Sequence, residues 1–306
     1  MFLSSLLLSS VLGAAAPQDK SAPGVAQIPD RWVLGDSFRV TLNYEGGAAG
    51  LSLQAWQLTA AAFDLNGEPL RERSNSASIP LAAGDSLQLN LDLAPLLAGQ
   101  AGFQLGLAGA GQEAQSVRVY AAVDPKTEFM SLASEALAGH LVLINTTRGE
   151  MLFEVWPEVA PGHVRNWLDL AHSGFYERVQ FHRVSPTFMI QGGCPSTRTD
   201  RRNEWGKGSG PRNVKLELSD RKHEKGVLSM ARGEDPDSGS SQFFVITRAS
   251  PQLDGRFSTF GKLLSGYDVL AKIGNAPGVM KDGTATPHEP QRILKATVVR
   301  ELIAEK

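Results

Sequence analysis

Residues 181–193 read FHRVSPTFMIQGG. One arginine, Arg183, sits among apolar side chains, a glutamine follows at Gln191, and a Gly-Gly pair closes the stretch. Some fifty residues later residues 239–244 read GSSQFF. A lone permanent charge between apolar residues needs a place where its head is held and its neighbours are buried. These two stretches constrain the chain more than any other part of it.

The rest of the chain is long enough for two domains, at 306 residues. Its 31 glycines and 17 prolines imply many turns and a β-rich chain. A net charge of −2 argues against a general nucleic-acid binder. The single cysteine, Cys194, allows no internal disulfide and reads as a turn residue.

Residues 1–16, MFLSSLLLSSVLGAAA, carry an apolar run too short to span a bilayer, followed by small residues with Ala14 and Ala16 in an A-x-A arrangement. This reads as a secretory signal peptide, so the chain is expected to be exported, periplasmic or secreted, although the n-region has no Lys or Arg. No later segment reads as a transmembrane helix. Residues 17–24 read as a linker. From 25 to 123 the pattern has period two: Phe38, Val40, Leu42 and Tyr44 alternate with Arg39, Thr41 and Asn43, and Leu87, Leu89, Leu91 and Leu93 with Gln88, Asn90 and Asp92. The expectation is a small antiparallel β-sandwich, with an immunoglobulin-like topology as one candidate. Trp32 and Trp56 read as core fillers, and no catalytic constellation is present. It is taken as an accessory domain of unknown partner. Residues 124–139 open on Asp124-Pro125 and predict a helical connector over 126–138.

From 140 to 306 the pattern predicts strands near 141–144, 151–155, 179–184, 226–231, 242–247, 259–263 and 291–302, with helices over 162–173 and 267–273. Strands with two isolated helices suit a closed β-barrel capped at its ends.

Several ordered blocks within roughly 140–302 resemble the cyclophilin family of peptidyl-prolyl cis–trans isomerases. They are AP-x-H-V-x-N-W at 160–167, SGFY at 173–176, FHRV-x-P-x-FMIQGG at 181–193, GVLSMAR at 226–232, SQFF at 241–244, LDG at 253–255 and FGK at 260–262. The resemblance implies an eight-stranded antiparallel barrel with two capping helices and an external groove for proline-containing polypeptides. It implies a catalytic role for Arg183, with Gln191 and Gln242 bonding substrate backbone or positioning the arginine. Phe188, Met189, Phe244 and Leu253 are implied as the pocket for the proline ring, Ala231 and Arg232 as the groove wall, and Phe257 as an aromatic wall.

The residues suit such chemistry on physical grounds. The barrier to rotation about a peptide bond is roughly 18–20 kcal/mol because resonance stiffens the C–N bond. Twisting localises the nitrogen lone pair, and a fixed donor near it stabilises the twisted state more than the planar one. No bond is made or broken, so no nucleophile, metal or cofactor is required. A non-catalytic module that binds proline segments, or a chaperone-like holdase, is the alternative class; the arginine favours the enzyme.

The chain departs from the family pattern at three positions. Gln252 stands where many members have a tryptophan that supports cyclosporin binding, which implies weak binding of that drug. Phe257 replaces a frequent histidine or tyrosine, and Cys194 a frequent acidic residue. Residues 197–212 read as a long exposed polar loop near the groove. Asp235, Asp237 and Gly239 only faintly resemble a calcium loop. His182 is expected to be buried and hydrogen-bonded.

Overall fold

The computed structural model describes backbone and side chains over residues 120–301; between 25 and 119 it describes strand positions only. The chain divides into two compact units, residues 1–121 with 301–306, and residues 122–300. In the first unit Pro69–Asn75, Leu58–Phe63, Gly102–Leu107 and Gln115–Ala122 run antiparallel in that order. Arg31–Val33 joins the last of them in parallel. Val25–Gln27 pairs antiparallel with Thr41–Asn43, and Leu51–Ser52 with Pro80–Leu81. The remaining residues of the expected sandwich lie outside the described residues, as do the segments 1–16 and 17–24.

The second unit is built of strands β1 (His140–Thr146), β2 (Gly149–Val155), β3 (Arg183–Val184), β4 (Met189–Gly192), β5 (Val227–Met230), β6 (Phe243–Ile246), β7 (Thr259–Ser265), β8 (Gly278–Lys281), β9 (Thr284–Pro287) and β10 (Ile293–Glu301). Two helices, α1 (Pro161–His172) and α2 (Tyr267–Gly274), are added. The strands pair antiparallel in the order β8-β9-β3-β4-β6-β5-β7-β2-β1-β10.

The strand ladder is not a closed ring, as the barrel expectation required. The expected strand over 179–184 is interrupted: Gln180 makes an isolated bridge, only Arg183 and Val184 keep a ladder, and Arg178 just before the segment takes φ 65°. The segment leading into β3 is tied instead to the one leading into β10 by a single bridge, Gln180 to Arg292. It is flanked by backbone bonds from Arg178 to Ile293 (2.8 Å), Ile293 to Val179 (2.8 Å) and Phe181 to Gln291 (2.9 Å).

Period two sorts the side chains. In β4 Ile190 faces the main core while Met189 and Gln191 face outward; in β6 Phe243 and Val245 face the core while Phe244 and Ile246 face outward. Helix α1 covers the core with Val164, Trp167, Leu168 and Ala171, as its spacing predicts. Trp167 meets Phe153, Phe243 and Phe260 edge-on at 5.6–5.8 Å between ring centres. No side chain of its own caps α1. Glu217, from the long segment before β5, accepts the backbone N–H of Gly162 and of His163 at 3.0 Å and bonds His163 Nδ1 at 2.6 Å. Burial would raise this carboxyl, but the bonds from His163 and the helix backbone hold it below its ordinary value.

The expected helix over 126–138 is two 3-10 turns, Phe129–Ser131 and Glu135–Leu137, separated by extended Leu132. The hydroxyl of Ser131 bonds back to the Glu128 carbonyl, a local alternative to helical bonding. Each turn sends one fully buried residue, Phe129 or Leu137, into the main core. The segment therefore packs as part of the second unit. A fragment starting at residue 122 is expected to exceed one starting at 140 in stability by at least roughly 3–5 kcal/mol, the cost of losing a large buried aromatic. Equal denaturation midpoints for the two fragments, with equal slopes, would refute this.

Candidate active site

Four residues on successive strands form one row across the outer face. Arg183 in β3 pairs with Gln191 in β4, Gln191 with Phe244 in β6, and Phe244 with Ser229 in β5. Directly paired residues share a face, so the charge and the aromatic ring are presented side by side, two strand spacings or about 10 Å apart at the backbone.

Arg183 is half-buried and held on two sides. One Nη donates to Gln191 Oε1 at 2.8 Å, and Nε donates to Thr284 Oγ1 at 3.3 Å. Gln191 Nε2 donates to Gln242 Oε1 at 3.0 Å. Gln242 Nε2 in turn donates to the carbonyls of Gly206 (2.9 Å) and Gly208 (2.7 Å). Burial lowers the guanidinium pKa, and the carboxylate of Asp282 opposes that shift.

Beside this polar chain lies an apolar cluster separate from the main core. Met189, Phe244 and Leu253 are buried in it with Trp156, Val227 and Ile246, and Phe188, Ala231 and Phe257 pack against it half-exposed. Phe257 meets Phe244 edge-on at 5.8 Å, and the Arg232 guanidinium lies over the Phe257 ring at 4.9 Å. The backbone N–H of Ala231 bonds the Gln242 carbonyl at 2.9 Å. All ten residues singled out from the sequence thus border one region of the outer face. Gln252 is exposed.

Several neighbours had not been singled out. His223 is buried, stacks on Phe244 at 6.1 Å, and links Asp254 Oδ1 (3.0 Å) to Ser229 Oγ (3.1 Å). Ser229 Oγ donates to the Ser258 carbonyl and is fully buried, so this Ser-His-Asp series braces the ring from beneath and offers no accessible nucleophile. Trp156, at the end of β2, carries the Arg221 guanidinium over its ring at 4.5 Å. The hairpin β8–β9, with Thr284, was also missed; the Asp282-Gly283 pair was its signal, since both residues have positive φ (48° and 74°) as a two-residue hairpin turn requires.

The segment 197–212 is half tethered. Cys194 Sγ accepts the N–H of Gly206 (3.2 Å) and of Gly208 (3.3 Å), so the lone thiol anchors the same two residues whose carbonyls hold Gln242. Asp235 accepts the N–H of Asp237 within a turn, and Asp237 accepts that of Leu216, 21 positions away, so both carboxylates are bonded to backbone N–H groups. His182 is buried as expected, but neither ring nitrogen has a hydrogen-bond partner.

A family model for the cyclophilin type peptidyl-prolyl cis-trans isomerases matches residues 141–298, just over half of the chain. The chain belongs to that family. Among its relatives, peptidyl-prolyl cis-trans isomerase B of Bacillus subtilis is 41% identical over 132 residues, which cover 42% of this chain and 86% of the relative. Peptidyl-prolyl cis-trans isomerase ppi1 of Schizosaccharomyces pombe is 36% identical over 165 residues, covering 52% and 98%. A solved cyclophilin type isomerase of Cryptosporidium parvum, in the presence of the dipeptide Ala-Pro, is 32% identical, with a TM-score of 0.46 and coverage of 52% of this chain and 98% of that one. This chain is accordingly a cyclophilin-type peptidyl-prolyl cis–trans isomerase, mainly β, with two helices on an antiparallel sheet among the described residues. Among the described residues no helix is long and apolar enough to cross a membrane.

Desolvation lowers the His182 pKa to about 4; the adjacent Arg183 charge adds to the shift and the nearby Gln180 backbone opposes it. Between that value and its unperturbed 6.5 the unfolded chain binds more protons at this site than the folded one. The site therefore lowers stability as pH falls through 6.5 towards 4 and contributes no further loss below. An NMR titration of the imidazole is expected to show no protonation until about pH 4; a midpoint near 6.5 would overturn the assignment.

Proposed function

We propose that the isomerase acts by holding a proline ring against Phe188, Met189, Phe244, Leu253 and Phe257 while Arg183 stabilises the twisted amide. The observation that supports this most is the row Arg183–Gln191–Phe244, which sets a fixed donor fork beside an apolar pocket on one face. Two of the five N–H groups of the guanidinium are engaged by Gln191 and Thr284. The remaining N–H groups of the fixed fork are left to face the amide nitrogen as its lone pair develops. Gln191 and Gln242 fix the fork, and Ala231 and Arg232 form the wall along which a substrate backbone would run. Proline-containing polypeptides are the substrate class.

In this reading the sheet is the family's barrel, with the Gln180–Arg292 bridge as its seam. Residues 25–123 serve as an accessory sandwich with its own partner. Residues 1–16 direct export, so the clients are exported proteins; a secreted product whose N-terminus still begins at Met1 would refute that part.

A protease-coupled assay on short X-Pro peptides tests the site. Arg183→Ala is expected to lower kcat/KM by on the order of 10²–10³, the effect of removing a key electrostatic donor, while a proline peptide still binds. Near-parental turnover in the folded variant would remove Arg183 from the mechanism. Absence of turnover in the parent would favour a non-catalytic module that binds proline segments.

A further inference from the structure

The hairpin β8–β9 reaches the site through one side chain. Thr284 is buried, at 3% exposure, at the first position after the turn, and pairs with Lys281 across it. Its hydroxyl donates to the Lys281 carbonyl at 3.2 Å and accepts from Arg183 Nε at 3.3 Å. The hydroxyl is thus oriented by the turn, with its lone pair left for the arginine. The turn is itself a defined two-residue one, since Asp282 and Gly283 both have positive φ. Ala285, the next residue, pairs with Val184, the residue after Arg183. At the far end of the hairpin Arg202 donates to the carbonyls of Pro287 (2.9 Å) and His288 (2.8 Å) and stacks on Trp205 at 5.0 Å. The segment that holds Gln242 and the hairpin that holds Arg183 Nε are therefore fastened to each other.

We infer that Thr284 is a positioning residue for the isomerisation: with Gln191 it fixes the guanidinium plane, one acceptor on Nη and one on Nε. Two acceptors on different nitrogens of a planar group determine both its place and its rotation, whereas Gln191 alone leaves it free to swing about one bond. The inference rests on the reading of Arg183 as the donor.

Thr284→Val keeps the shape and removes the hydroxyl; Thr284→Ser keeps the hydroxyl. In the full chain, Thr284→Val is expected to lower kcat about tenfold, below the roughly 10²-fold loss of a full 1 Å misplacement, with KM for an X-Pro peptide unchanged. Thr284→Ser should recover most of the loss, and the Arg183 Nε–H resonance should move in the valine variant and return in the serine variant. In the Arg183→Ala background, Thr284→Val should cost nothing more. Strong loss in Arg183→Ala with parental kcat in Thr284→Val overturns this inference alone. Parental turnover in Arg183→Ala overturns the reading beneath it. Equal losses in the valine and serine variants, or full additivity with Arg183→Ala, reduce Thr284 to a structural residue and also overturn the inference.

Discussion

A guanidinium kept charged, half-buried and still is the constraint on which this site depends. Taking an ion out of water costs several kcal/mol when burial is complete, and a hydrogen bond to a charged group returns roughly 1.5–3 kcal/mol. Arg183 meets the cost through Gln191, and Gln191 is a fixed acceptor only because its own amide is anchored. The series runs one way: Arg183 donates to Gln191, Gln191 to Gln242, and Gln242 to the carbonyls of Gly206 and Gly208. Turning over either amide would set oxygen against oxygen or nitrogen against nitrogen. Backbone carbonyls cannot turn over, so the segment ending the series sets the sense of every bond in it, and Cys194 holds that segment through the N–H groups of the same two glycines.

One sheet supplies both the core that stabilises the domain and the outer cluster proposed as the proline pocket, because each strand has two faces. Ile190, Phe243, Val245 and Leu228 belong to the inner cluster; Met189, Phe244, Ile246 and Val227, each one position away, belong to the outer one. A one-residue slip of β4 or β6 would exchange the sets and carry the row from Arg183 to Phe244 to the wrong face. Gly193 guards against that slip. It has φ 86°, and a Cβ there would lie 2.2 Å from the Ser241 carbonyl, so no other residue lets β4 leave β6 where it does.

Much of this was legible in the sequence because it is written in residues close together. Strand alternation, the buried face of α1 and the two stretches around Arg183 and Phe244 depend on local spacing, and the structure brings all ten singled-out residues together. What was not legible depends on contacts across long separations. Thr284 lies 101 positions from the arginine it bonds, and Glu217 lies 54 from the helix turn it caps. Neither residue type announces such a partner. The connector was misread for a different reason: Phe129, Leu132 and Leu137 satisfy a helical stripe, but buried anchors spaced in this way are served equally by two short turns. No side-chain pattern foretells the positive φ of Arg178, just before the interrupted strand, either.

The chemistry also explains why an amide rather than a carboxylate stands opposite the arginine. If Arg183 acts as proposed, a glutamate at position 191 would hold the guanidinium more tightly but neutralise the field offered to a developing lone pair, and a bidentate pair would occupy the fork. Glutamine fixes the geometry and leaves the charge whole. Threonine at 284 follows the same rule, offering an oxygen without a charge. The nearest acidic influence is Asp282, which sits exposed at the hairpin tip and among solvent. There its field is weakened by water, and it opposes the effect of burial on Arg183 without contacting the guanidinium. Neutral acceptors in contact and a screened carboxylate farther out are the arrangement that keeps a cation both immobile and available.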